Sequence, residues 1–330
     1  QGSGMGASLA ELTTIGVGGV PAELVDCRSR DDLIEHTLAV WRTGDPWLIL
    51  GGGSNLVVAD EVPELRVIRV ANKGVEKLGD GHVRVQAGEN WDDLVRLAVD
   101  NGWAGIESLS GIPGTVGAAP VQNIGAYGQD VAGVITRVEF VDYRTRQTVI
   151  LGRDELKFGY RDSIFKRGRL GLITWVEFQF ATDLPAGSAA LLQQRRAEVL
   201  EQRTAKGMVL NPDDADTRSC GSFFMNPVVP ARVARTLPFE APRWETEADD
   251  GETVKLSAAW LIENAGVPKG FRIAGSGAGL STKHCLAITN RGGATAAEIL
   301  QLKTFVQERV AARWGINLRP EPVLVGFDED

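Results

Sequence analysis

The chain alternates between segments of helical and strand-like patterning. Ser29 and Asp32 open a helix as an N-cap with an acid three residues on, and Leu33, Ile34, Thr37, Leu38 and Trp41 follow at helical spacing until Gly44-Asp45-Pro46 stops it. Trp47–Leu50 is a short apolar run, a buried strand, that leads into Gly51-Gly52-Gly53-Ser54-Asn55 and the apolar Leu56-Val57-Val58. Leu65–Val70 and His82–Gln86 alternate as strands, and Asn90 caps a helix with Leu94, Leu97 and Ala98 on one face, ended by Asn101-Gly102. Val134–Tyr143 and Gln147–Leu151 read as a hairpin around Arg144-Thr145, with Gly171–Phe180 a further strand. Residues from Ala181 to about Leu191 are small and unpatterned, which places a boundary there. Beyond it come a charged helix over Leu191–Thr204, a polar loop over Lys206–Arg218, an acidic solvated loop over Arg243–Gly251, and a helix over Leu256–Ala265 ending at Gly266. His284–Thr289 reads as a strand, Thr295 to Glu298 is a capping box opening a helix to about Trp314, and Glu321–Phe327 is a last strand that must join some sheet. The strands are short and follow no regular βαβ order, so the fold class is α+β rather than a doubly wound Rossmann arrangement.

Composition narrows the partners. The 330 residues carry a formal net charge of −8, the opposite sign from a usual nucleic-acid binder, so nucleic acid is not expected as a partner. No apolar run approaches the length of a membrane span, and no signal peptide is visible, so membrane association is not expected. The opening QGSGMG, residues 1–6, reads as an expression scar before Met5 and its neighbours. Three Cys, an odd number with no close pair, argue against a disulfide framework and for a reducing, cytoplasmic setting. Three scattered His and three scattered Cys lack metal-ligand spacing, so no metal site is expected. Neither His36 nor His82 is given a role.

The chemistry-bearing stretch is Gly111–Gly128, GIPGTVGAAPVQNIGAYG. It has no charged side chain, and five of its eighteen residues are Gly. It cannot be an amphipathic helix, and Gly at this density allows a ligand or another backbone to approach closely. Ile112, Val116, Val121 and Ile124 make it apolar enough to be buried, and a buried loop must pair its backbone N–H groups. An anion, most simply a phosphate, is one way to do so; a glycine-rich turn that serves packing is the other. Gly51–Asn55 between two apolar runs is a second possible phosphate cradle, though not a P-loop, because no Gly-Lys-Ser/Thr ends it.

Seven segments in order over about 310 residues resemble the UDP-N-acetylenolpyruvoylglucosamine reductase (MurB) family of flavoenzymes: Thr13–Gly19, Gly51–Asn55, Gly111–Gly128, Tyr160–Lys166, Gly221–Pro227, Ala259–Glu263 and Arg319–Val323. The resemblance implies a vanillyl-alcohol-oxidase-type (PCMH-type) FAD module of two subdomains, 7–73 and 74–182, then a substrate domain over 183–318, with 319–330 returning to the first subdomain. It implies FAD held largely by main-chain N–H groups of Gly51, Gly52, Gly53, Ser54 and Asn55, and of Ser110, Gly111, Pro113, Gly114, Thr115, Gly117, Ala118, Gln122, Asn123, Gly125, Ala126 and Tyr127. NADPH is the implied reductant, UDP-N-acetylglucosamine enolpyruvate the small-molecule substrate, and no obligate protein partner is implied.

Three positions matching the family's catalytic residues are present. Arg161 fits a guanidinium that binds the substrate carboxylate as negative charge develops on it. Glu321 fits a group that holds or shares a proton on the enolic oxygen, and Ser222 a proton donor to C2. Read without the resemblance, Arg161 is a surface ion-pair residue near Asp162 and Lys166, Ser222 relieves packing, and Glu321 is a solvated turn. Tyr160, Lys206, Asn226, Lys283 and His284 match substrate or nicotinamide contacts more loosely. One departure stands out: Ala181–Ser219 has no Tyr, where many relatives carry a Tyr-bearing lid over the substrate. Two other functions fit the same scaffold, a flavin oxidase of alcohols or sugars and a catalytically silent nucleotide-sugar binder.

Overall fold

The structure is a computed structural model that describes residues 6–246 and 251–328. The scar assigned to residues 1–6 therefore lies outside the described residues except for Gly6, as do residues 247–250 of the acidic loop. In chain order the elements are β1 (Glu23–Cys27), α1 (Arg30–Thr43), β2 (Trp47–Leu50), β3 (Leu56–Val58), β4 (Arg66–Val70), β5 (Val75–Gly79), β6 (His82–Gln86), α2 (Trp91–Asp100), β7 (Gly125–Ala126), β8 (Gln129–Asp130), β9 (Ile135–Asp142), β10 (Thr148–Gly152), α3 (Arg153–Leu156) and β11 (Gly171–Gln179). There follow α4 (Ser188–Ala205), β12 (Val228–Pro230), α5 (Ala231–Ala234), β13 (Arg243–Glu245), β14 (Thr253–Leu256), α6 (Ala258–Glu263), β15 (Ala278–Leu280), β16 (Ile288–Asn290), α7 (Ala296–Trp314) and β17 (Val323–Val325). Two compact units result. One gathers Val20–Gly53 and Val62–Ala205; the other gathers Leu9–Gly19, Ser54–Glu61 and the chain from Lys206 on.

The caps read from sequence are made. Ser29 Oγ accepts Asp32 N–H at 3.1 Å and Gly44, at φ 74°, closes α1. Asn90 accepts Asp93 N–H at 3.1 Å to start α2. In the first unit, β1, β4 and β2 form a parallel three-stranded sheet, and β10-β9-β11-β6-β5 an antiparallel five-stranded one. The five-stranded sheet has two unlike faces. Val138, Phe140, Val176 and Phe178 pack on α2 residues Trp91, Leu94 and Val95. The other face carries buried carboxylates paired with part-exposed arginines: Glu177 is bonded by Arg84 and Arg137, and Glu139 by Arg30 of α1 at 2.6 Å and by Thr174. Pairing is what makes such burial tolerable.

The second unit is organised on α7. Thr295 and Glu298 form the capping box, Gly315 at φ 69° ends the helix, and Ile299, Leu302, Val306 and Val310 form its buried stripe. That stripe meets Phe223, Phe224, Leu261, Ile262, Ile316 and Leu318 in one core. The last strand β17 pairs in parallel with β3, Val323 opposite Leu56.

Three sequence expectations are corrected. Arg243–Glu245 is a strand paired to β14, not part of a solvated loop, because the Arg243 guanidinium is spent on the carbonyls of Ala234 and Leu237. The strand expected over His284–Thr289 is confined to Ile288–Asn290, since His284 Nδ1 accepts Leu286 N–H at 3.1 Å and curls the chain before it. The helix expected over Leu191–Thr204 starts at Ser188 and packs on α2 in the first unit, whereas the expected boundary put it in the substrate domain.

Candidate functional site

In the first unit the two glycine loops lie backbone to backbone. A Cβ built on Gly52 would sit 2.9 Å from Gly114 Cα, and one on Gly51 would sit 2.5 Å from Thr115 Oγ1. Glycine is therefore required by the close approach of the loops. The Gly111 loop is sewn to the start of α2: Trp91 N–H donates to Gly114 O, Val116 N–H to Glu89 O, and Gly117 N–H to Ala87 O, each at 2.9 Å. Many of its N–H groups are thus paired inside the protein, which narrows the anion argument. The N–H groups of Gly52, Gly114 and Thr115 donate to no acceptor among the described residues. Where the two loops touch, these main-chain donors are of the kind an anion such as a phosphate can accept from.

Beyond the cradle the loop folds into its own small hairpin. β7 and β8 pair, with Tyr127 at φ 50° and Gly128 at φ 82° as the two turn residues, both left-handed as the tightest hairpin turn demands. Asn123, also left-handed at φ 49°, is locked by Nδ2 donating to Gly159 O at 2.8 Å and to Asp130, and by Oδ1 accepting Ala132 N–H. Ser163 Oγ donates to Val121 O. Ser110 Oγ donates to Glu107 O at 2.7 Å just before the loop.

Arg161 belongs to the same assembly. Gly159 and Asp162 close a tight turn on each other, and Arg161 within it is left-handed at φ 46°, a conformation that costs a non-glycine residue and marks an over-determined position. Its Nη2 donates to Gly125 O at 2.7 Å and its guanidinium lies 5.0 Å from the Tyr160 ring centroid. Around it, Asp162 pairs with Arg167, and Lys166 Nζ donates to the Arg161 carbonyl at 2.9 Å. A Cβ on Gly125 would stand 2.5 Å from Arg161 Nη1, so the glycine at 125 admits the arginine.

The second unit holds Ser54, Asn55 and the other two catalytic candidates. Ser222 stands between buried Cys220, whose Sγ meets Leu56 O, and buried Phe223. Phe223 N–H donates to Leu286 O at 2.8 Å, and Glu321 N–H donates to Phe223 O at 2.8 Å; Met225 N–H donates to Arg319 O. Two segments nearly a hundred residues apart are thus hydrogen-bonded side by side, which sets Glu321 against the residue next to Ser222. Both Ser222 and Glu321 are half-buried. The same segment ends at Asn226, whose Oδ1 accepts Ala258 N–H at 3.0 Å at the start of α6, while Asn55 O accepts Val323 N–H as β17 begins.

The softer candidates differ in state. Lys283 Nζ pairs with Asp214, which holds its ammonium pKa up. Burial, with Lys206 and Lys269 nearby, pushes His284 down to about 4, so its ring is neutral near pH 7 and offers no positive charge. Residues that sequence reasoning passed over are Asp92, which accepts Gly111 N–H, and Arg195 and Arg196 of α4, described below. In the sequence Asp92 falls in the segment that caps a helix and the arginines fall in a charged helix, and neither context marks a role. Among the described residues no helix is long and apolar enough to cross a membrane.

The family described as "FAD binding domain" matches residues 21–150, which makes this mixed α+β scaffold that of an FAD-binding protein. A second family, described as "UDP-N-acetylenolpyruvoylglucosamine reductase, C-terminal domain", matches residues 212–325. UDP-N-acetylenolpyruvoylglucosamine reductases of Leifsonia xyli and Mycobacterium tuberculosis are 47% and 43% identical to the chain, over 97% and 96% of it and 98% and 94% of their own lengths. The solved reductase of Thermus caldophilus superposes with a TM-score of 0.71 at 29% identity, covering 97% of this chain and 98% of that one. The chain belongs to the UDP-N-acetylenolpyruvoylglucosamine reductase family.

Proposed function

We propose that Arg161, Ser222 and Glu321 carry out the family's reaction in this chain, the NADPH-linked reduction of the enolpyruvyl ether of UDP-N-acetylglucosamine enolpyruvate to UDP-N-acetylmuramate, a step of peptidoglycan precursor synthesis in the bacterial cytoplasm. Bound FAD, recharged by NADPH, supplies the hydride that reaches C3 of the alkene. Gly51–Asn55 and the Gly111–Gly128 loop hold it, chiefly through main-chain donors. Arg161 binds the substrate carboxylate through its planar fork and meets the charge that builds on it once C3 is saturated. Glu321 holds or shares a proton on the enolic oxygen. Ser222 gives its hydroxyl proton to C2; a hydroxyl is a weak acid, and an enolate carbon is basic enough to take that proton. Tyr160, Lys206 and Asn226 contact the substrate or the nicotinamide.

The observation that carries the reading is the Glu321 N–H to Phe223 O hydrogen bond, which sets the backbone of the segment bearing Glu321 beside the backbone of the segment bearing Ser222. Packing alone would not call for a Ser and a Glu there. The test separates the half-reactions. With Ser222→Ala, NADPH should bleach the flavin at close to the parent rate, while reoxidation by the enolpyruvyl substrate should fall by at least about a hundredfold, the usual scale for a lost proton donor. Equal damage to both halves would make Ser222 a packing residue.

A further inference from the structure

α4 is fixed by charge more than by apolar burial. Leu192 and Val199 are its buried residues, too thin a seam to seat eighteen residues. Arg196, its side chain 13% exposed, completes the attachment. Its Nη1 and Nη2 donate to Oδ1 and Oδ2 of Asp92 at 2.8 and 2.9 Å, a two-point fork. Asp92 lies in the first turn of α2, and its Oδ1 also accepts Gly111 N–H at 2.7 Å. Gly111 is left-handed at φ 76° and is where the chain turns into the glycine loop. One residue earlier on α4, Arg195 Nε donates to Ser108 Oγ at 3.2 Å, and its guanidinium stands 5.6 Å from the Tyr127 ring centroid. α4 thus touches the loop at its entrance and at its hairpin tip. Burial pushes the Asp92 carboxyl up, but Arg196 and the Gly111 amide outweigh it and hold the group below its ordinary range, so it is a carboxylate when it grips the loop.

We propose that the Arg196–Asp92 pair is a positioning device for the cofactor loop: the fork fixes the carboxylate, the carboxylate fixes the Gly111 peptide, and the Gly114–Thr115 turn is preformed when FAD arrives. The proposal rests on the reading of that loop as the FAD cradle. A preformed loop binds more tightly because it loses less conformational freedom on binding. Arg196 and Asp92 are positioning residues, acting on the cofactor through Gly111.

The test is FAD titration into full-chain apoprotein, followed by flavin fluorescence, with apoprotein melting and limited proteolysis of the loop alongside. Arg196→Met keeps the apolar stem and removes the fork. It should weaken FAD binding by roughly ten- to a hundredfold, the scale of a charged hydrogen bond lost, and open the 108–128 segment of the apoprotein to protease. Arg196→Lys, able to make one contact, should recover part of the loss. Asp92→Asn, which keeps an acceptor for Gly111, should match Arg196→Met, and the double variant should be no worse than either. FAD affinity within twofold of the parent in both single variants would overturn the proposal, as would full additivity in the double. Gly114→Val separates this from failure of the cradle reading. If Gly114→Val leaves FAD binding intact, the cradle is wrong; if it abolishes binding while Arg196→Met does not, the positioning role alone falls.

Discussion

Gly52→Ala puts the cradle to its most direct test. Gly52 has no left-handed backbone, so the change is steric and not conformational. The new Cβ would lie 2.9 Å from Gly114 Cα and 3.4 Å from Gly114 C, backbone atoms that cannot rotate away. The two loops must part by about half an ångström, and overpacking of this kind costs about 1–3 kcal/mol. If that cost falls on the form that binds the cofactor, FAD affinity drops roughly five- to 150-fold. Gly51 provides the internal control. Its Cβ would meet Thr115 Oγ1 at 2.5 Å, but the next Thr115 atoms stand at 3.6 Å, an ordinary contact. Gly51→Ala should therefore cost less in a Thr115→Ala background than in the parent, whereas no side-chain deletion can relieve Gly52→Ala. The assay is FAD titration of the apoprotein for all four members of the cycle and for Gly52→Ala. Parent-like FAD affinity in Gly52→Ala, or strict additivity of Gly51→Ala with Thr115→Ala, would refute the idea that loop contact shapes the cradle.

Further outcomes are expected. Arg161→Lys should lower turnover of the enolpyruvyl substrate at least tenfold while leaving flavin reduction near normal, because a point charge cannot replace the two-pronged guanidinium; near-parent turnover would remove Arg161 from the mechanism. Glu177→Gln should cost about 2–3 kcal/mol in urea melts at pH 7, since it strips the nearly inaccessible carboxylate from Arg84 and Arg137. Burial raises both paired carboxylates, but Arg137 and Arg84 hold Glu177, and Arg30 and Thr174 hold Glu139, below their ordinary 4.5, so their contribution is complete above that pH and fades as pH falls through the lowered folded values; a flat stability profile from pH 6 to 3 would contradict this. His284, pushed down to about 4 by burial, resists a proton that the unfolded chain accepts near 6.5. Stability should therefore fall by about 2–3 kcal/mol between pH 6.5 and 4, and His284→Gln should flatten that part of the profile.

Much of this architecture is written locally in the sequence. α1, α2 and α7 are announced by Ser29, Asn90 and the Thr295–Glu298 box, and each cap forms as its chemistry dictates. The β9–β10 hairpin is equally plain, because alternation and turn residues act over a few positions. β5, exposed along its whole length, carries no apolar alternation to reveal it. The packing of α4 is hidden for a related reason. Its attachment lies in Arg196 and Arg195, residue types that are solvated in most helices, and their partners Asp92 and Ser108 lie 104 and 87 positions earlier. The site divides in the same way. The glycine loops are visible as glycine, but the Glu321–Phe223 hydrogen bond is a long-range backbone contact with no sequence signature.

The pairing of β17 with β3 also orders events during synthesis. Leu56–Val58 leaves the ribosome early and waits for Val323–Val325, and at about 5–20 residues per second tens of seconds separate the two. Throughout that wait β3 offers an open edge, and the backbone that will carry Glu321 does not yet exist. An interrupted translation product could therefore complete the sheets of the first unit and still lack the carboxylate. Nascent chains arrested before Arg319 are clients for whatever shields an unpaired strand.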